Sequence, residues 1–234
     1  MQPLNIALIG YGKMGRAIEA LATNRGHNIA ARFDSSEALL ASTQQLSQCS
    51  VAIEFTQPDA AAANILHCLR TGVPVVCGTT GWYTEGALEQ LAATCQTTQG
   101  RMLTSTNFSV GMNIMFALNE RLATLMAGRT DYTASITETH HIHKLDAPSG
   151  TAITLCQQVQ ACGNRDEADI TIKSIREGEV PGTHTVSYAS DIDTISITHE
   201  AHNRQGLAAG ALLAAEWLVQ VQPGVYTMKD VLAL

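Results

Sequence analysis

The sequence has 234 residues, of which 45% are hydrophobic and 15% charged, so it can bury a sizeable core in one large domain or two small ones. Its net charge of -7 and its 14 scattered lysine and arginine residues argue against nucleic acid as a partner. We expect neither a signal peptide nor a membrane-spanning segment, since no apolar stretch approaches the roughly 20 residues that a spanning helix needs. The 6 cysteines form no Cys-x-x-Cys pair, which favours reduced thiols and a cytoplasmic location.

The first half of the chain alternates strand-like and helical segments. Apolar runs predict strands at residues 4–10, 27–33, 51–55, 73–77 and 102–105, with helices at 16–24, 36–45, 59–70 and 85–96. This alternation is typical of α/β proteins with a Rossmann-like, doubly wound parallel sheet. We therefore predict a dinucleotide-binding domain over residues 1–106.

The pattern changes near residue 107. A helix is predicted over residues 112–127 and another at about 151–161, with strands at 132–140, 170–176, 183–189 and 194–199. These segments predict a smaller α+β domain, residues 107–204, with a mixed, mostly antiparallel sheet. The helical segment 205–234 is expected to return to the first domain.

A glycine loop follows the first predicted strand and opens the first helix. Its G-x-G-x-x-G pattern permits a tight turn and lets the helix N–H groups approach a pyrophosphate. Asp34, at the end of the second strand, can accept a ribose hydroxyl hydrogen bond, which favours NADH. Lys13, Arg32 and the two serines after Asp34 could instead receive the phosphate of NADPH, so the preference stays open.

Residues 78–81 follow the fourth strand, at the edge where open α/β sheets bind ligands. A plain glycine-bounded loop is the alternative interpretation of these four residues. The residues assigned to the cofactor on these grounds are Gly10, Gly12, Lys13, Met14, Gly15, Asp34, Gly78, Thr79 and Thr80.

Side chains that can transfer protons or bind anions are most concentrated in residues 138–152. Here His140, His141, His143 and Lys144 stand close together. If the strand continues through them, His140 and Lys144 share one face of the sheet. Residues 149–151 directly precede a predicted helix, whose N–H groups suit a carboxylate.

Two other interpretations of these histidines stay open. A His-His-x-His run could bind zinc, but adjacent histidines on alternate faces of a strand converge poorly, so we expect no metal. The histidines could also be structural. Elsewhere, His27, His184, His199 and His202 are expected to be structural, and Asn203 with Arg204 could help to hold an acidic ligand.

Residues 138–152 closely resemble the signature E-x-H-H-x-x-K-x-D-A-P-S-G-T-A of the dihydrodipicolinate reductase family. The similarity extends to residues 78–81, 107–111, 176–184 and 224–232, which spreads it over nearly the whole chain. It implies a homotetramer that reduces 4-hydroxy-tetrahydrodipicolinate, a small dicarboxylate, with NADH or NADPH. That reaction belongs to lysine and diaminopimelate biosynthesis. Residues 107–204 would then be the domain for substrate binding and oligomerisation.

The resemblance also implies roles for single residues. His140 is then the proton donor, and Lys144 aids protonation and holds the substrate. The substrate carboxylates would be held by His141, Lys144, Ser149, Gly150 and Thr151, and Asn107 and Phe108 join the cofactor site. The glycine loop is one residue shorter than the G-x-x-G-x-x-G form common in the family, which bears on the phosphate contacts.

Two competing functions are weaker. An amino acid dehydrogenase with a similar pair of domains would not need the run at residues 138–152. A non-catalytic dinucleotide sensor would keep the glycine loop and Asp34, but it has no reason to assemble His140, Lys144 and residues 149–151.

Overall fold

A computed structural model describes residues 2–203 and 205–234 of the chain. The chain forms two compact units, which are described separately. Unit 1 comprises Met1–Ser109 and Leu207–Leu234, and unit 2 comprises Val110–Gly206. Arg204, suggested above as an aid in holding an acidic ligand, lies outside the described residues.

The strands and helices are numbered in chain order. The strands are β1 (Asn5–Ile9), β2 (Asn28–Phe33), β3 (Val51–Glu54), β4 (Val75–Cys77), β5 (Arg101–Thr104), β6 (Thr133–His140), β7 (Ile170–Arg176), β8 (Thr183–Ala189), β9 (Thr194–Glu200) and β10 (Gly224–Tyr226). The helices are α1 (Lys13–Asn24), α2 (Ser36–Ala41), α3 (Thr43–Leu46), α4 (Pro58–Thr71), α5 (Glu85–Thr98), α6 (Val110–Met126), α7 (Gly150–Gly163), α8 (Gln205–Leu218) and α9 (Met228–Leu232). None of the helices in the described residues is long and apolar enough to span a bilayer.

Unit 1 is built on a parallel sheet with the strand order β10-β5-β4-β3-β1-β2. Alternate side chains of each strand point to opposite faces. Ile6 and Leu8 of β1 pack in a core that includes residues of α1 and α8, whereas Ala7 and Ile9 pack in a core with residues of α2 and α4. Both faces are therefore covered, and the predicted doubly wound fold is confirmed.

The order in which successive strands are added to the sheet changes direction at β1. From β1 the next strand lies on one side, while β3, β4 and β5 follow on the other. Such a switch point leaves a crevice outside the carboxyl ends of the strands, and ligands of open α/β sheets bind there. The glycine loop after β1 and the segment after β3 both begin at this edge.

Unit 2 is built on a four-stranded sheet with the order β7-β6-β8-β9. The β6–β7 pair is parallel and the other two pairs are antiparallel, which confirms the prediction of a mixed, mostly antiparallel sheet. Residues of α6 and α7 share a core with one face of the sheet, formed around Phe116, Leu155 and Val186. On exposed positions the hydroxyls of Thr185 and Thr198, and those of Ser187 and Ser196, are hydrogen-bonded across β8 and β9.

Some elements differ from the prediction. The single helix predicted over residues 36–45 is two helices, interrupted at Ser42, whose φ of -118° and ψ of 34° are not helical. The sequence did not predict β10, α9 or the 3₁₀ turn at Glu167–Asp169. A three-residue strand such as β10 carries too few residues to show a period, and its place is set by pairing with β5, far away in the sequence.

Gly210 of α8 is expected to be a stability determinant of unit 1, because a Cβ atom there would lie 1.7 Å from the carbonyl oxygen of Phe108. Gly210→Ala should lower the free energy of unfolding by about 1–3 kcal/mol through overpacking. Gly86→Ala in α5 is the matched control, since its Cβ would meet no heavy atom within 4 Å. The control should be neutral or stabilising by up to about 1 kcal/mol in denaturant unfolding. Equal effects of both changes would contradict this account.

Candidate active site

The glycine loop between β1 and α1 is shaped by close backbone contacts. Gly10 has a φ of +88°, and a Cβ there would lie 2.0 Å from the carbonyl oxygen of Phe55. A Cβ at Gly15 would lie 2.4 Å from the carbonyl oxygen of Gly10. At Gly12, by contrast, a Cβ would meet no heavy atom within 4 Å. The fold thus requires Gly10 and Gly15, whereas Gly12 leaves open space at the start of α1.

A cleft of about 570 Å³ opens beside Gly12. It is lined by residues 12–14, 55–58 and 78–80, which follow β1, β3 and β4 at the carboxyl edge of the sheet. The first N–H groups of α1 have no partner within the helix, and Lys13 is exposed beside them. These donors fit a pyrophosphate, so the residues present suit a dinucleotide. The predicted cofactor residues that line the cleft are Gly12, Lys13, Met14, Gly78, Thr79 and Thr80.

Asp34 is exposed directly after β2, where a ribose would be expected. Arg32 does not extend freely beside it, because its guanidinium pairs with Glu19. The hydrogen bonds of Arg32 and Tyr11 lower the pKa of Glu19 to about 2. The guanidinium carbons of Arg16 and Arg32 each lie 5.6 Å from the centre of the Tyr11 ring. Two cations therefore lie against this ring, next to the glycine loop.

Phe108 is buried in unit 1, and Asn107 beside it in sequence is half-buried. The Phe108 ring is 2% exposed and packs against Phe55, with 5.9 Å between the ring centres. The side-chain oxygen of Asn107 accepts a hydrogen bond from the backbone of Ser109 at 2.9 Å. In the described part of the chain, the cleft lining includes Phe55 but neither of these two predicted residues.

A buried acid beneath the cleft was missed by the sequence analysis. Glu54, at the end of β3, is fully buried, and its carboxylate accepts hydrogen bonds from Thr56 and from the thiol of Cys77, the latter at 2.9 Å. The hydroxyl of Thr79 accepts a bond from the backbone of Thr56 at 2.7 Å. This network ties together two of the three segments that line the cleft, those after β3 and β4. The sequence signal that could have revealed Glu54 is a single acidic residue at the end of an otherwise apolar strand.

Unit 2 assembles a second site around Glu138. Alternate residues of β6 are buried, and this places Glu138 and His140 on the same face. One carboxylate oxygen of Glu138 contacts Nδ1 of His140, and the other lies 3.0 Å from the guanidinium of Arg176. The backbone N–H of Ser149 donates to that second oxygen at 3.3 Å. The register explains the grouping, because Arg176 on β7 pairs with His140 and His184 on β8 pairs with Glu138.

Burial controls the protonation of this group. It would raise the pKa of Glu138, but hydrogen bonds from Ser174 and Arg176 outweigh it, and the pKa is lowered. Burial lowers the pKa of His140, and Lys144 adds to this effect while Glu138 opposes it. Burial also lowers the pKa of His184 to about 4. Both imidazoles are therefore neutral near pH 7 in the unliganded unit, and the Glu138 carboxylate is ionised.

The rings of His140 and His184 meet edge to face, with 5.0 Å between their centres. Nε2 of His184 lies 3.3 Å from the hydroxyl of Ser149, which also caps α7 by accepting a bond from the backbone of Ala152. Gly182 has a φ of +154°, and a Cβ there would lie 3.1 Å from Nε2 of His140. The absence of a side chain at Gly182 keeps this nitrogen uncrowded.

The condition for a shared face of His140 and Lys144, that β6 continues through Lys144, is not met. The strand ends at His140, and the chain then turns, with the backbone N–H of Lys144 donating to the carbonyl of His141 at 3.1 Å. Two bonds from Arg176 fix the new path, one to the carbonyl of Lys144 at 3.3 Å and one to that of Asp146 at 2.6 Å. The shared face of His140 and Lys144 is therefore lost, although the charge of Lys144 still acts on His140.

The remaining predicted substrate residues lie along the same loop and helix. The ammonium of Lys144 contacts both carboxylate oxygens of Asp146 at 2.7 Å. Gly150 and Thr151 form the first turn of α7, where N–H groups have no partner within the helix. His141 follows His140 at the start of the turn, and His143 makes an exposed pair with Glu179 at 3.1 Å.

His140 lies close to His184, which is distant in sequence, and not in a cluster with its neighbours His141 and His143. Ligand atoms of Glu138, His140 and His184 lie within 4.8 Å of one another, a spacing that a metal ion could use. The guanidinium of Arg176 already places a positive charge beside Glu138, which disfavours a second cation there. The cluster is better suited to holding and moving a proton. Sequence reasoning missed Glu138 and Arg176 because their meeting depends on strand register.

A parallel sheet with a dinucleotide cleft, together with a unit that holds a buried histidine against a carboxylate, defines the class of nicotinamide-dependent oxidoreductases. Comparison with protein families narrows this class. "Dihydrodipicolinate reductase, N-terminus" matches residues 4–108, and "Dihydrodipicolinate reductase, C-terminus" matches residues 111–232. The chain belongs to the dihydrodipicolinate reductase family.

Curated relatives agree with the family. The chain is 44% identical to a 4-hydroxy-tetrahydrodipicolinate reductase of Christiangramia forsetii, over 98% of each chain. It is 35% identical to one of Akkermansia muciniphila over 95% of each. Among solved structures it is similar to a dipicolinate-bound dihydrodipicolinate reductase from Paenisporosarcina sp. TG-14, with a TM-score of 0.79, 20% identity and coverage of 98% and 99%. An amine dehydrogenase from Mycobacterium smegmatis shares the fold at a TM-score of 0.64 and 11% identity, covering 96% and 94%.

Gly12→Ala is expected to leave the fold intact and to weaken NADH binding, because its Cβ would fill only the open space at the start of α1. The free energy of unfolding should change by less than about 0.5 kcal/mol. The Kd for NADH, followed by nucleotide fluorescence, should rise by about tenfold or more, or about 1.4 kcal/mol. Gly15→Ala is the contrasting variant, since its Cβ meets backbone and should destabilise the protein itself. Normal NADH affinity in Gly12→Ala would refute the assignment of this cleft.

Proposed function

We propose that the chain reduces 4-hydroxy-tetrahydrodipicolinate to tetrahydrodipicolinate with NADH or NADPH, in lysine and diaminopimelate biosynthesis, and that His140 donates the proton. Unit 1 binds the cofactor, and unit 2 binds the dicarboxylate. The observation that carries the proposal is the buried His140, held at Nδ1 by Glu138 and placed near Lys144 and the start of α7. The names of the relatives support the substrate.

When bound, the reduced nicotinamide supplies a hydride. Conversion of the 4-hydroxy substrate to tetrahydrodipicolinate also expels the hydroxyl as water, so the net reaction takes up one hydride and one proton. The chain supplies that proton, and a histidine is suited to this because its pKa lies near physiological pH. His140 is neutral in the unliganded unit, but two substrate carboxylates beside it would favour the protonated imidazole. Nε2, next to Gly182, is the nitrogen that Glu138 leaves available for the transfer.

The substrate carboxylates have three kinds of donor available. The N–H groups of Gly150 and Thr151 at the start of α7 bind one carboxylate with help from the helix dipole. The ammonium of Lys144, held by Asp146 in the unliganded unit, exchanges that carboxylate for one of the substrate. His141 contributes at the start of the loop, and Ser149 shapes the site through its bonds to Glu138 and His184.

The choice between NADH and NADPH depends on the end of β2. The exposed carboxylate of Asp34 favours the ribose hydroxyls of NADH and repels a 2′-phosphate. Arg32 is engaged by Glu19, while Arg16 and Lys13 are exposed cations close to the same loop in sequence. We therefore propose that both cofactors are used, and we place the reaction in the cytoplasm, in keeping with 6 cysteines that form no disulfide among the described residues.

The central test is an assay with freshly made dihydrodipicolinate synthase product, following absorbance with NADH and NADPH in parallel. The wild type should oxidise both cofactors, and their two rates give the preference. His140→Gln should lower kcat by about 10²–10⁴-fold, because the proton donor is lost, while NADH binding stays unchanged. Lys144→Ala should lower kcat and raise KM.

His143→Gln is the matched control, since the same substitution removes an exposed imidazole that pairs with Glu179 and lies 6.0 Å, centre to centre, from the ring of His141. It should keep the wild-type rate. A folded wild type that binds NADH but oxidises neither cofactor would refute the proposed reaction and favour a sensor or another substrate. A normal kcat in His140→Gln would refute the role of His140.

We also propose that the protein is a homotetramer assembled through the unit 2 sheet. The hydroxyl side chains paired across β8 and β9 provide a polar surface for a second copy. Sedimentation at assay concentrations should give a species of four times the 24.9 kDa of one chain. A monomer under those conditions would contradict the proposal.

A further inference from the structure

We infer that Glu138 and Arg176 are a pair of positioning residues for proton transfer: Glu138 orients His140 through Nδ1, and Arg176 holds Glu138 and the loop that carries Lys144. This inference deepens the proposed function and rests on His140 being the proton donor. Neither residue has to touch the substrate, since each acts through another residue.

The contacts of Glu138 leave it little freedom. It is 0% exposed, one oxygen faces Nδ1 of His140, and the other receives Arg176 at 3.0 Å and the backbone of Ser149 at 3.3 Å. A carboxylate bound to one imidazole nitrogen fixes the ring orientation and the tautomer, as it does in catalytic and metal-binding histidines. The proton of neutral His140 is then held at Nδ1, and Nε2 is left to receive and give the catalytic proton.

Arg176 connects this pair to the substrate loop. Its guanidinium bonds not only Glu138 but also the backbone carbonyls of Lys144 and Asp146. A buried carboxylate without a cation tends to take up a proton, and neutral Glu138 would no longer stabilise protonated His140. Arg176 therefore serves two purposes at once, since it keeps Glu138 ionised and fixes the backbone on either side of residue 145.

The charged and titratable groups around His140 give the sign of the pH effect. Glu138 faces it from β6, Arg176 from β7, His184 from β8 with His199 of β9 beside it, and Lys144 from the loop. Burial, Lys144 and Arg176 lower the pKa of His140, and Glu138 opposes them. Removing the charge of Glu138 must therefore lower that pKa further, so that the protonated donor is lost at a lower pH.

The deciding experiment is the pH profile of kcat for Glu138→Gln, which keeps the shape of the side chain and removes its charge. The alkaline limb, where the rate falls as His140 loses its proton, should move to lower pH by about 1–3 units. NMR titration of the His140 ring in the unliganded protein should show a shift in the same direction. With pyridine-2,6-dicarboxylate bound, the ring should also titrate at lower pH than in the wild type.

Three further variants make the test specific. Glu138→Asp keeps the charge and should leave the alkaline limb in place while lowering kcat. Glu179→Gln removes an exposed acid of the same unit and should leave both profile and rate unchanged. Arg176→Lys keeps a cation but cannot make the same set of carbonyl bonds, so it should raise the KM of the dicarboxylate more than it shifts the limb.

The inference and the proposed function fail in different ways. If His140→Gln is slow but Glu138→Gln keeps both the wild-type limb and the wild-type ring titration, the inference alone is overturned. If His140→Gln is as fast as the wild type, the proposed function fails. Should Glu138→Gln not fold, Arg176→Lys and Glu138→Asp decide, because wild-type kinetics in both variants would also overturn the inference.

Discussion

The buried charge of Glu138 is the constraint on which the site in unit 2 depends. An ionised carboxylate with no exposed surface must be compensated by opposite charge and hydrogen-bond donors, or it takes up a proton. The groups that meet this need come from β6, from β7 and from the residue before α7. Compensating one charge therefore brings together the ends of three elements, and the site is formed where they meet.

The buried acid of unit 1, Glu54, has a different set of partners. The partners of Glu54 in the described residues are a hydroxyl, an amide and a thiol, all of them uncharged. This network needs only to hold two loops at the carboxyl edge of the sheet, where the cofactor cleft opens. Glu138, in contrast, contacts an imidazole and the guanidinium of Arg176. A cation beside a carboxylate favours the ionised form, and the charge of Glu138 acts on His140.

The sequence predicted what local patterns encode. Apolar runs located β1 to β9, and the glycine loop marked the cleft because its spacing reflects a local turn. The path of the chain after His140 could not be predicted, since it depends on Arg176, which is distant in sequence and reaches the loop only through the β6–β7 register. Glu138 was visible as the first residue of a signature, but its role required knowing which residues face it. His184 was expected to be structural, and the structure places its ring beside that of His140.

The proposed role of His140 as proton donor has to be reconciled with a pKa that is lowered in the unliganded unit, and the surrounding charges do this. In the unliganded unit, burial and Lys144 keep His140 neutral, and Asp146 occupies the ammonium of Lys144. A dicarboxylate would bring two negative charges, and in the proposed binding mode one of them would engage Lys144 and offset its effect on the ring. Both changes favour protonation of His140. The proton would then enter together with the substrate, and the donor would be charged only when there is a ligand to receive its proton.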